Sequence, residues 1–157
     1  MNKVLIIFTL IIISIVILIG VFAHNSKSGK AAGLVDGRLV KCHTKPNCVC
    51  SEQKDDTDHY IEPIIILQIT TDETSIILKE TIQELGGTMQ TETGTYITAT
   101  FSSAVFGFID DLEIRIDSAQ NVIHIRSASR IGHSDFGVNR KRTELVKDLY
   151  YKKANKG

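Results

Sequence analysis

The stretch LEIRIDSAQNVIHIRSA, residues 112–128, decides the fold. Leu112, Ile114 and Ile116 alternate with Glu113, Arg115 and Asp117, the period of two that a half-buried strand requires. Ala119-Gln120-Asn121 turns the chain, and Val122 to Ala128 runs back with Ile123 and Ile125 inward. One hairpin with one oily face follows. A second hairpin is predicted just upstream, Thr88 to Thr93 and Thr95 to Phe101 joined at Gly94, where Ile97, Ala99 and Phe101 alternate with threonines.

Helices flank these strands. The spacing of Leu78, Ile82 and Leu85 predicts a helix from about Thr74 to Leu85, capped by Asp72 or Thr74 and ended by Gly86-Gly87. Val138 to about Lys153 reads as an amphipathic helix with Val138, Leu145 and Leu149 on one stripe and Val146 and Tyr150 beside it. Tyr60 to Leu67 reads as extended. The expected fold class is α+β: an antiparallel sheet of four to five strands with two helices on one face.

Residues 4–23, VLIIFTLIIISIVILIGVFA, are uncharged and long enough to cross the ~30 Å hydrocarbon layer as one helix. The run exceeds the ~7–15 apolar residues of an ordinary signal peptide, so residues 1–23 are expected to be an anchor, although Val21-Phe22-Ala23 is a tolerable cleavage site. Residues 24–41, rich in Gly, Ser, Ala and Lys, read as a linker, and 42–157 as the folded domain. Formal net charge is zero. Lys3 is the only charged side chain in the first 23 residues, which leaves 17 Lys and Arg against 18 Asp and Glu in the remainder. No global field draws this domain to nucleic acid or lipid, and the absence of Trp argues against a stacking-based nucleic-acid binder.

Cys42, Cys48 and Cys50 stand at C-x5-C-x-C. Residues i and i+2 of an extended chain splay, so Cys42 is the natural partner for either Cys48 or Cys50, and such a bond implies an oxidising compartment. Buried reduced thiols are the first alternative. A metal site completed by His43 and His59 is the second, but the spacing matches no standard zinc pattern, and no metal or cofactor is expected. Charge flanking the apolar run is nearly balanced, Lys3 and the terminal amine against Lys27 and Lys30, so the cysteines decide orientation. The expected location is a bacterial inner membrane, single-pass, with the domain on the periplasmic or exterior side.

The most unusual stretch is RSASRIGHSDFGVNRKR, 126–142. Arg140, Lys141 and Arg142 sit in the opening turn of a helix, where the dipole disfavours cations by ~0.3–1 kcal/mol each. Something negative must compensate. An internal reading pairs Asp110, Asp111, Glu113 and Asp135 with Arg126, Arg130, Arg140 and Arg142, locking the last helix to the sheet. An external reading makes Arg126, Ser127, Ser129, Arg130, Ser134, Asp135, Asn139, Arg140 and Arg142 a cradle for an anionic small molecule or an envelope protein. A catalytic reading would use Asp110 and Asp111 with His133 and Ser134, but adjacent residues seldom point at one another and no nucleophile elbow is present.

Four pieces, PNCV at 46–49, HY at 59–60, FIDDLEI at 108–114 and RSASRIGHSDFGVNRKR at 126–142, resemble the domain of unknown function 1499 family, small exported or membrane-tethered domains of bacterial and plastid type. The resemblance implies that the acidic FIDDLEI strand and the basic segment belong to one recurrent site or structural core. Cys50 stands where the family more often has serine, and His133 where an aromatic is common. Binding through the basic helix start is the expected activity, with a hydrolase or transferase and a purely structural envelope scaffold as the alternatives.

Overall fold

In the computed structural model, which describes residues 2–67 and 69–156, the 112–128 hairpin is the centre of the sheet. In chain order the elements are α1 (Lys3–Ser28), β1 (Leu34–Val35), β2 (Arg38–Leu39), β3 (Cys48–Cys50), β4 (Ile64–Ile65), α2 (Thr71–Glu84), β5 (Thr88–Thr93), β6 (Tyr96–Ser102), β7 (Ile109–Asp117), β8 (Val122–Ser129) and α3 (Val138–Ala154). β5 to β8 form an antiparallel meander, and β3 and β4 share the free edge of β8, pairing with opposite halves of it. The sheet therefore has six strands where four to five were expected; the extra pairings come from stretches of two or three residues, too short to show a period.

Alternation divides the sheet into an oily and a polar face. Ile97, Ala99, Phe101, Leu112, Ile114, Ile116, Ile123 and Ile125 pack with Leu78 and Ile82 of α2 and Val146 and Tyr150 of α3. Each large side chain so buried contributes ~1.5–3 kcal/mol. α2 starts three residues before the expected position because Thr70 and Glu73 form a reciprocal capping box. α3 keeps its expected start, but its inner stripe differs: Asn139, Thr143, Val146 and Tyr150 are buried, whereas Val138 and Leu145 are exposed.

The polar face is covered too. β1 and β2 form a small hairpin whose Leu39, only 2% exposed, joins Cys42, Cys48, Cys50 and Ala128 in a second apolar cluster against Tyr96. This corrects the expected linker over 24–41: α1 continues to Ser28, and the chain is already packed on the sheet by Gly33, whose amide donates to Glu113 Oε1 at 2.7 Å. α1 is long and apolar enough to span a membrane, and its apolar window is unburied by the rest of the chain.

Candidate functional site

Neighbouring residues on a strand point to opposite faces, so Asp110 and Asp111 serve different layers. On the helix side, Asp110 Oδ2 accepts from Arg142 Nη2 at 2.7 Å, and the guanidinium lies 4.5 Å from the centroid of the Phe101 ring. Arg142 Nη1 donates to Ser127 Oγ at 3.0 Å and Asn139 Oδ1 at 2.6 Å. Asn139 Nδ2 in turn donates to Asn47 O and Ser129 Oγ, both at 3.0 Å. The start of α3 is thereby bolted to β8 and to the loop before β3.

On the opposite face, Asp111 takes a two-pronged contact from Arg130, Nε to Oδ2 and Nη2 to Oδ1, both at 2.8 Å. Arg130 Nη1 also donates to the carbonyls of Ser26 and Lys27, near the end of α1, where unsatisfied carbonyls favour a cation. Two residues along β7, Glu113 is 0% exposed and Arg126, its cross-strand partner, 4%. Glu113 Oε2 accepts from Arg126 Nη1 at 2.6 Å, while Oε1 accepts from Tyr96 Oη and from the Gly33 amide, each at 2.7 Å. Burial, and then the Glu113 carboxylate, push the Tyr96 hydroxyl pKa far above its ordinary range, so it remains a donor.

The remaining residues of the basic segment have separate fates. Arg140 donates to the carbonyls of Asp58 and Tyr60, both at 3.0 Å. The N-cap of α3 is Gly137, which has no side chain to cap with, and Asp135 two residues ahead accepts from the amides of Asn139 at 2.7 Å and Gly137 at 3.1 Å. Ser134 Oγ accepts from the Phe136 amide, His133 is exposed, and no contact joins either to Asp110 or Asp111 among the described residues. The catalytic candidates are therefore not assembled into one constellation.

Cys42 and Cys48 are joined by a disulfide, leaving Cys50 as a buried thiol. Burial pushes the Cys50 pKa up to about 11, against the Glu52 amide and Arg126 that favour the thiolate. His59 is held by Asp56 Oδ1 at 2.8 Å and Lys45 O at 3.0 Å, and among the described residues no three of His, Cys, Asp and Glu gather as a metal site.

The family model described as a protein of unknown function, DUF1499, matches residues 38–149, which contain every strand of the main sheet and both carboxylate–guanidinium layers. The chain belongs to this DUF1499 family. No curated protein matches it. The match begins at the first residue of β2 and ends within α3, so the DUF1499 domain includes part of the cover over the polar face.

Two features escaped the sequence reading. One is a cleft of about 720 Å³ between the segment after α1 and the polar sheet face, bordered by Lys27, Lys30, Gln90, Tyr96, Thr98, Thr100, Asp111 and Arg130. The other is Arg115, which donates to Glu52 at 2.7 Å and Asp117 at 3.0 Å beside His124. The outward parity of Arg115 was legible; its Glu52 partner, 63 residues away, was not.

Proposed function

We propose that this DUF1499 protein is a membrane-tethered binding domain, held by α1 on the exterior face of a bacterial inner membrane, that takes an anionic ligand in the cleft beside the exit of α1. The carrying observation is the lining of that cleft: three cations, Lys27, Lys30 and Arg130, face one carboxylate, Asp111, over a floor of hydroxyl and amide side chains. Lys27 and Lys30 are exposed and have no carboxylate within salt-bridge distance among the described residues. The disulfide supports the exterior location, since such bonds persist in oxidising compartments.

The basic helix start has a different role in this reading. Arg126, Arg130 and Arg142 already meet internal carboxylates, and Arg140 meets backbone carbonyls, so that segment holds the domain together and leaves ligand capture to the lysines. That observation favours a scaffold role for the segment itself. The test uses the full chain in neutral-lipid nanodiscs, with melting followed against inorganic phosphate and, separately, with phosphatidylglycerol in the disc. Lys27→Gln with Lys30→Gln should abolish the upward shift and leave the unliganded melting temperature unchanged. No shift with either anion, or a shift that survives the double substitution, rejects the cleft as an anion site.

A further inference from the structure

We infer that the β6–β7 loop, Ser103–Phe108, lies in the headgroup layer of the membrane spanned by α1 and directs Val105 and Phe106 toward the hydrocarbon; this rests on the anchored reading above. Val105 is 80% exposed and Phe106 48%, although the loop is well braced. Ser103 N donates to Phe108 O at 2.8 Å, Gly107 N to Ser103 O at 3.0 Å, and Phe108 N to Ser103 Oγ at 3.0 Å. An apolar tip held rigidly in the open is a liability in water.

Its position relative to α1 identifies what covers it. The residue that follows the loop, Ile109, donates its amide to Ser26 Oγ at 2.7 Å, and a Cβ on Gly107 would lie 3.9 Å from Lys27 Cε. The apolar run ends at Ala23. Three more residues, at ~1.5 Å of rise each, carry Ser26 only ~4.5 Å past that end. The headgroup layer on each side is ~5–7.5 Å thick, half the difference between a ~40–45 Å bilayer and its ~30 Å core. The start of β7 is thus within headgroup depth, and the preceding loop stands beside it. The loop has no charged residue, carries two phenylalanines and abuts Lys27, the mixture of apolar, aromatic and basic groups suited to an interface. The occupant is therefore the bilayer itself.

The natural chain lacks Trp, so single tryptophans report cleanly. Phe22→Trp in α1, Phe106→Trp in the loop, and Ile65→Trp, paired with Val122 at the far end of β8, are made in the full chain and reconstituted in vesicles with and without brominated phosphatidylcholine. Phe22→Trp and Phe106→Trp should both emit to the blue and lose fluorescence to bromine; Ile65→Trp should do neither. Quenching of Phe22→Trp without quenching of Phe106→Trp overturns the loop assignment and leaves the anchor standing. An unquenched Phe22→Trp rejects the anchor and the inference with it. Blue-shifted but unquenched emission from Phe106→Trp means that protein covers the loop, which also overturns the proposal.

Discussion

Replacing Arg126 by Met keeps an aliphatic stem between Cys50 and Glu113 but removes the guanidinium from a carboxylate that is 0% exposed. Two donors remain, Tyr96 Oη and Gly33 N, both neutral and both on Oε1, so Oε2 loses its only partner among the described residues. Breaking a buried pair from one side costs about 3–5 kcal/mol. Glu113→Gln, the other half of the cycle, strands a buried guanidinium whose Nε already lacks a partner, and a similar cost of about 3–5 kcal/mol is expected. In the double substitution no charge is stranded, and the carbonyl of the introduced amide still accepts from Tyr96 and Gly33. Its cost should fall to about 1–2 kcal/mol, that of an unsatisfied amide. A domain of this size carries roughly 6–17 kcal/mol at ~0.05–0.15 kcal/mol per residue, so each single variant should still fold. The assay is urea unfolding of the full chain in mild detergent, where about 4 kcal/mol at an m-value near 2 kcal/mol/M moves the midpoint by about 2 M. The signature is a double variant more stable than either single one. Additive losses, or single variants costing under about 1 kcal/mol, would refute the buried pair.

Further outcomes follow from the same polar face and its loops. Ser51 Oγ accepts from Ile125 N at 2.8 Å and faces His124 Nδ1 at 3.3 Å, an arrangement satisfied by a neutral ring that accepts the hydroxyl proton. Burial lowers the His124 pKa below its ordinary value, so the unfolded chain binds the proton more readily; the stability this gives is present above about pH 6.5 and is lost as pH falls through the folded value. NMR titration of His124 should show a neutral ring at pH 6.5, and a midpoint there or higher is the contrary result. Cys50, buried with a pKa of about 11, should resist maleimide at neutral pH until the chain is unfolded, and labelling at the rate of a free thiol would contradict its burial. Reducing the Cys42–Cys48 bond, which closes a loop of sequence separation 6, should lower stability by about 2 kcal/mol on the loop-entropy relation, checked by urea unfolding with and without reductant. Phe136 is 96% exposed at φ +54°, so Phe136→Gly relieves left-handed strain of ~1–2 kcal/mol while adding backbone freedom worth ~0.5–1, and should stabilise the domain by a few tenths of a kcal/mol or more in the same unfolding assay.

The meander was legible because Ile97, Leu112, Ile114, Ile116, Ile123 and Ile125 repeat at every second residue over strands of seven to nine. Strand parity also put Glu113 and Arg126 on one face, and the register sets them opposite each other. The β1–β2 hairpin was missed although Asp36-Gly37 between Leu34-Val35 and Arg38-Leu39 is a strong short-hairpin signal, with φ of +51° and +73° in the structure. Two-residue strands offer no period to support such a turn. The inner stripe of α3 was misread for another reason: hydropathy favoured Val138 and Leu145, but Asn139 must reach Asn47 and Ser129 while Arg142 reaches Asp110, and those contacts set the rotation of the helix. Partners such as Arg130 with Ser26 depend on how a loop meets a helix more than a hundred residues away, a distance over which local patterns carry no information.

Because Asp110 and Asp111 straddle the sheet, two adjacent carboxylates couple elements on its opposite faces. Asp110 holds Arg142 and hence the first turn of α3; Asp111 holds Arg130 and hence the last turn of α1. β7 is the rigid member between them, hydrogen-bonded on both sides by β6 and β8. The contrary dipole at the start of α3 then has a physical explanation: Arg142 is placed there by what it must reach on the helix-facing side of the sheet, and Asp135 supplies the negative charge that the opening turn lacks. A basic cluster that looks like a ligand cradle when read along the chain becomes, in three dimensions, separate joints on two sides of one strand. Its removal should therefore register first in the attachment of α1 and α3, before any loss at the cleft beside α1.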